Sequence, residues 1–388
     1  MRLAFVVQRY GPDVHGGSEQ LCRAWAERLA RHHDVTVITT CARDYLTWAD
    51  HYPPGTHEIA GVRVLRFPVD APRDMADFDA FSHTIFGPPH SEADEREWMR
   101  RQGPYSTPLL ETIRDTHGEY DLLIFMTYLY CTSFFGLPLA GERAVLVPTA
   151  HDEPPIHLPI FRHLFAAARA LLFLTPAEQA FVQRTFAVGH IPAYEVPMGV
   201  ELPVPAAPER EDDPPLLLYI GRVHPSKAVD QLFAHVTRYR AESGRPLRLV
   251  FAGRVDTPLP DHPDVTCLGF VSEVEKYDLI ARASLVLMPS FYESLSISIL
   301  EAWAAGRPTL VNGEAAVLRE QTLRSGGGLF YQGYPEFAAC LDRMLDDAPL
   351  RRRMAAQGRA FVERTYSWPV VERRIETILE RIARTDCV

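Results

Sequence analysis

The sequence predicts an α/β protein built from two doubly wound domains, and three observations carry that prediction. The first is length: 388 residues is long for one α/β domain and natural for two. The second is pattern. Short apolar runs without polar alternation recur, each followed by a helical stretch, as strands of a parallel sheet covered on both faces do. The third is a break at 202–215, LPVPAAPEREDDPP, which is Pro-rich and acidic with nothing to bury. It reads as a linker, after which the rhythm restarts.

In the first half, strands are expected at 3–8, 35–39, 62–67, 122–126, 144–148 and 170–174. A helix over 18–32 carries Leu21, Ala24, Trp25 and Leu29 on one apolar stripe. The stretch 70–108 is polar, aromatic and Pro-containing. It is too long for a simple strand-to-helix loop, so it reads as a functional insertion. The second half gives strands at 216–220, 247–252, 265–268, 285–288 and 309–311, and helices at 228–240, 273–281, 296–305 and 335–346. A last helical run covers 369–383. The domains expected are therefore 1–201 and 216–366, followed by a terminal helix at 367–388. The default ligand site is a cleft between the two domains.

Composition narrows the function classes. With 47% hydrophobic and 23% charged residues, the chain has ample core. A net charge of −10 argues against nucleic acid as a partner, because phosphate binding is driven by Lys and Arg. Most of the acidic excess lies in the first half, so the second is the better place for an anionic ligand. Lysine occurs only at Lys227 and Lys276, which reads as the arginine bias of a GC-rich genome. Six scattered cysteines without a C-x-x-C pair suit a reducing compartment. The opening MRLAFVV has none of the regions of a signal peptide and reads as a strand. The most apolar stretch, 122–139, holds Thr127, Thr132, Ser133, Gly136 and Pro138. These favour a strand, helix and turn over a membrane span, and a cytoplasmic location is expected.

Three segments point to chemistry. Tyr10 to Glu19, following the first strand, contains Gly16 and Gly17 just before a helix. Adjacent glycines let backbone approach a ligand, and a helix start favours an anion. Alone, the pair is an ordinary turn; it is not G-x-G-x-x-G, so nicotinamide-dinucleotide binding is not indicated. Next, Gly221-Arg222 ends a strand and Lys227 follows five residues later. Two cations in one loop suit a pyrophosphate, or form a solvated basic loop. Last, Glu293-Ser294-Leu295-Ser296-Ile297 leads to Glu301. Either serine can cap a helix whose first backbone N–H groups favour phosphate. Glu301, between Leu300 and Ala302, must face something polar, and a ribose diol would satisfy it. The spacing alone also fits two surface glutamates.

Taken together, Glu293-x₇-Glu301, Ala302 and Gly306-Arg307-Pro308, downstream of Gly221-Arg222 and Lys227, resemble the retaining GT-B glycosyltransferases of family 4. The likeness extends over nearly the whole chain. It takes in Gly16-Gly17, His151-Asp152, Pro197-Met198-Gly199-Val200, Gly269-Phe270-Val271 and the closing Tyr366-Ser367-Trp368 helix. The resemblance implies two Rossmann-like domains facing across a cleft, with the last helix returning to the first domain. It also implies roles. Arg222 and Lys227 would hold a diphosphate, Glu293 the transferred sugar and Glu301 the ribose. Backbone at Gly221, Phe270, Val271, Ser294, Leu295, Ser296 and Ile297 would line the donor. His151 would meet the sugar, and Gly16-Gly17 phosphate and acceptor.

The activity so implied is retaining transfer of a hexose-type sugar from a UDP- or GDP-sugar to a glycan, lipid-linked or small-molecule acceptor. Such a role belongs to polysaccharide or glycoconjugate biosynthesis and is compatible with peripheral association at the inner face of a membrane. Neither a cofactor nor a metal is expected, since no D-x-D motif follows a first-domain strand. Asp152 and the insertion's Phe78, Phe81, His83, Trp98 and Tyr105 are candidates for an acceptor groove; the aromatics equally well pack the insertion down. Two departures from the family stand out: Ala228 where it usually has Gly, and Met198 where Asn is common. A nucleotide-sugar epimerase and a non-catalytic nucleotide-sugar-binding scaffold are the alternatives. A membrane-bound transporter component would require spans that the sequence does not provide.

Overall fold

The computed structural model describes residues 1–87, 89–204 and 214–384. Most of the expected linker, and Cys387, lie outside the described residues. The chain divides into two units: Met1–Met198 with Glu372–Val388, and Gly199–Val371.

The first unit is organised on eight strands: β1 (Arg2–Val6), β2 (Asp34–Thr40), β3 (Gly55–Ile59), β4 (Val62–Phe67), β5 (Leu122–Met126), β6 (Ala144–Val147), β7 (Ala170–Phe173) and β8 (Ala193–Glu195). They lie in the order β3-β4-β2-β1-β5-β6-β7-β8. Every neighbouring pair is parallel except the antiparallel β3–β4. Strands β5, β6 and β7 are buried at every residue, as their unbroken apolar runs require. By contrast, β3 (GTHEI) is largely exposed at the sheet edge, so it lacks the apolar run that marks a central strand. Helix Gly17–Leu29 buries Leu21, Cys22, Trp25, Ala26 and Leu29; each large apolar side chain so buried contributes about 1.5–3 kcal/mol.

The stretch 70–108 is ordered by two helices, Met75–Phe86 and Glu92–Gln102. Asp74 caps the first, and Ser91 with Asp94 forms a capping box on the second. Of the two readings of Trp98, groove-lining or packing, its burial supports packing. Its side chain is 2% exposed within the hydrophobic core, and its indole N–H donates to Ser82 Oγ at 2.9 Å. Phe78 and Phe86 pack against it at 5.8 and 5.5 Å. Tyr105 is half-buried, edge-on to Phe135 at 5.3 Å. Accordingly, Trp98→Ala is expected to lower unfolding stability by about 3–5 kcal/mol, the range for emptying a large aromatic site. Chemical denaturation measures this, and a change below about 1 kcal/mol would contradict the packing role.

The apolar stretch 122–139 supplies β5 and the short buried helix Cys131–Phe134. Among the described residues, no helix is long and apolar enough to cross a membrane.

The second unit holds β9 (Leu216–Ile220), β10 (Arg248–Ala252), β11 (Val265–Cys267), β12 (Leu285–Met288), β13 (Thr309–Asn312) and β14 (Gly328–Tyr331). They form one parallel sheet in the order β11-β10-β9-β12-β13-β14. This is the doubly wound arrangement whose strand order reverses between β9 and β12, and ligands bind beyond the strand ends at such a switch point. The last helix, Trp368–Arg384, runs through the boundary of the two units. From Glu372 onward it groups with the first unit: Glu372 pairs with Arg28 at 2.8 Å, and Ile382 carbonyl accepts from Arg169 at 2.6 Å.

Candidate functional site

Charged groups converge at the carboxyl ends of β9, β10 and β12. Beyond β9, Gly221 sits at φ +153°, and a Cβ on Gly253, at the end of β10, would come within 2.0 Å of Gly221 carbonyl oxygen. Only glycine lets these strand ends approach so closely. Arg222 and Lys227 follow. The expected partnership of two cations with a ligand is only part of the arrangement: Lys227 Nζ bonds Glu293 at 2.7 Å. Arg222 lies 3.8 Å from Asp256, whose carboxylate is also gripped by Arg254 at 2.7 and 3.0 Å. Arg254 and Asp256 carry no motif in sequence, and only the fold brings them to Arg222. At Ala228 the chain takes the left-handed conformation, φ 52° and ψ 33°. A Gly-type turn is therefore kept by a residue with a Cβ, at a cost of about 1–2 kcal/mol.

Glu293 leads into helix Ile297–Ala304, with Ser296 at the N-cap position. The Ser296 hydroxyl pairs with Ser298 Oγ at 3.5 Å and does not cap the helix. Leu295 and Ser296 are buried, while Ser294 and Ile297 are half-buried in the same turn. Glu301 lies buried one turn further on. Its polar partner within the protein is Lys276, on helix Glu273–Arg282, with Nζ to Oε1 at 2.7 Å. Both side chains are nearly closed off, at 12% and 11% exposure. Burial pulls the Lys276 ammonium down, but Glu301 and Glu273 outweigh it and hold it above its usual range. Burial pushes the Glu301 carboxyl up, against the Lys276 charge. The two lysines of the chain thus pair with the two glutamates of the motif, one to one. Phe270 is 65% exposed beyond β11, and Val271 packs on the unit's core.

In the first unit, the loop after β1 is held by a buried ion pair. Arg9 Nε donates to Glu19 Oε1 at 2.9 Å, and Arg9 also bonds Arg43 carbonyl at 2.8 Å. Gly16 lies against this pair; a Cβ there would meet Glu19 Oε2 at 2.3 Å. Gly16 is therefore required by internal packing, whereas a Cβ on Gly17 would meet nothing within 4 Å. The absence of a side chain at Gly17 keeps that surface open. After β6, His151 Nε2 lies 3.2 Å from Glu153, and Ala150 N–H bonds the buried Glu178 carboxylate at 2.7 Å. Burial pushes Glu178 up to about 8, opposed by the amides of Leu174 and Ala150 and by His151. Asp152 points into solvent and pairs with His157 at 2.7 Å.

Two doubly wound units, the second with cations and carboxylates at its switch point, give the GT-B fold, and the comparisons find similar proteins among glycosyltransferases. Residues 214–347 match the family described as glycosyl transferases group 1. The chain is 33% identical to an alpha-D-kanosaminyltransferase of Streptomyces kanamyceticus over 40% of this chain and 43% of that protein. It is 29% identical to a glycogen synthase of Mycobacterium tuberculosis over 96% of this chain and 92% of that one. In fold it is similar to Anabaena Alr3699/HepE, solved with UDP-glucose, with a TM-score of 0.64 at 14% identity, covering 98% of this chain and 100% of that one. The chain spans only about two fifths of the length of the first curated relatives it matches.

Proposed function

We propose that the chain is a retaining glycosyltransferase that uses a nucleoside-diphosphate sugar, UDP- or GDP-linked. The observation that carries this reading is the pairing of Lys227 with Glu293 and of Lys276 with Glu301 around one switch point. Arg222 and Lys227 neutralise the diphosphate, Glu293 holds sugar hydroxyls, and Glu301 takes the ribose. An acceptor oxygen attacks the anomeric carbon from the side of the departing group. The bond from that carbon to the diphosphate oxygen breaks, and its electron pair leaves with the diphosphate. The acceptor's proton passes to the same phosphate, and the new glycosidic bond forms with configuration retained. Preorganised cations facing the growing negative charge supply most of the acceleration. A UDP-glucose complex among the fold's relatives supports a donor of this chemistry, and nothing in the comparisons favours the epimerase alternative.

Calorimetric titration with UDP, GDP and ADP in EDTA tests the donor assignment, followed by acceptor-free hydrolysis of a panel of nucleotide sugars. One nucleotide binding at micromolar strength and hydrolysis of its sugar conjugate are expected. No binding by any of the three would refute the reading. Activity lost in EDTA and restored by magnesium would overturn its metal-independent part.

A further inference from the structure

The loops leaving β5 and β6 each contain a threonine in the left-handed region, Thr127 at φ 60° and Thr149 at φ 50°. Residues branched at Cβ avoid that region, and such strain persists only where the surroundings over-determine it. Here they do. Thr127 N–H donates to Val147 carbonyl at 2.8 Å and Tyr128 N–H to Pro148 carbonyl at 3.1 Å. Ala150 N–H donates to buried Glu178. These bonds tie the two loops to one another and to a carboxylate that also holds Leu174 N–H at 2.7 Å.

The strained loops bring three side chains together. Tyr128, 1% exposed and edge-on to Phe161 at 4.8 Å, donates its phenolic O–H to Glu153 Oε1 at 2.6 Å. The other oxygen of the same carboxylate faces His151 Nε2 at 3.2 Å. Glu153 N–H in turn donates to His151 carbonyl at 2.9 Å. One side of the carboxylate is thus fixed by a rigid, packed phenol, and the other is presented to the imidazole.

We infer that Glu153 is a positioning residue for His151, fixing the ring's orientation through Nε2 and favouring its protonated, donating form. The inference rests on the proposed transferase reading only for what His151 then does, which is to lie against the transferred sugar. A carboxylate at one ring nitrogen stabilises imidazolium and sets which nitrogen carries the proton. Glu153 and Glu178 are titratable groups that act on the ring. Burial pushes Glu178 up to about 8, and its charge, where present, favours imidazolium further.

The test is an NMR titration of the His151 ring in the whole chain without ligand, its signal identified by its loss in His151→Gln. In Glu153→Gln the midpoint is expected to fall by at least about half a pH unit. In Tyr128→Phe it is expected to rise, because the carboxylate loses a competing donor. An unchanged midpoint in both variants would overturn the inference, and Tyr128→Phe alone decides if Glu153→Gln fails to fold. Because no donor is present, failure of nucleotide binding and failure of this titration are separate results. With the donor found by titration, Glu153→Gln should lower kcat about tenfold with little change in KM, within the range for a misplaced proton-transfer group. A raised KM with kcat intact would also count against it.

Discussion

Replacing Glu301 by Gln should destabilise the protein before any ligand is added. Its carboxylate is the 2.7 Å partner of Lys276, and both are nearly sealed from water. Removing one half of a buried pair leaves the other charge uncompensated, which costs about 3–5 kcal/mol. The lower end is expected here, because Lys276 keeps Glu273 at 2.8 Å, an exposed carboxylate. Urea denaturation measures the loss. The doubly altered Lys276→Met, Glu301→Leu chain should recover most of it, since a buried pair replaced by apolar groups is often neutral. Nucleotide affinity should remain low in that double variant. If it returned with stability, the ribose assignment of Glu301 would be wrong.

The second large effect is expected at Lys227. On the proposed reading Lys227→Ala removes a cation from the diphosphate, and it leaves Glu293, 11% exposed, without its partner. A drop of about 10²–10³-fold in kcat is expected, as for loss of one preorganised charge at a developing anion. Steady-state kinetics with the selected donor separates the possibilities. A rise in KM at constant kcat would mean that Lys227 holds the ground state only. Lys227→Arg should restore part of the rate, because the charge returns but a planar fork does not reproduce a compact ammonium.

How much was legible in sequence depended on whether the signal was local. Strands β4, β5, β9 and β12 have the bounds expected of them: β5, β9 and β12 are unbroken apolar runs, and β4 alternates buried residues with more exposed ones. Strand β14 was not visible: it begins at the last of the three glycines Gly326-Gly327-Gly328 and has only four residues. Helix Ala348–Thr365 was also missed, its arginines and Gly358 masking the apolar face of Met354, Phe361 and Val362. In the candidate site, the motif residues stand out in sequence because their spacing along one chain carries the pattern. Their partners could not. Lys276 lies 25 residues from Glu301, Glu178 lies 28 from Ala150, and Asp256 meets Arg222 across two strand ends. The one available hint was the scarcity of lysine, which bulk composition explains equally well until both lysines are seen against the motif's glutamates.

That scarcity has a practical side. Amine-reactive dyes, crosslinkers and coupling resins ordinarily attach at scattered surface lysines and leave a binding site statistically untouched. In this chain their side-chain targets are Lys227, 30% exposed, and Lys276, 12% exposed, both engaged with the candidate donor carboxylates. Acylating either one neutralises the charge that its glutamate depends on. Lysine acylation that is scattered over most protein surfaces would therefore fall here on these two pairs, alongside any reaction at the α-amino group.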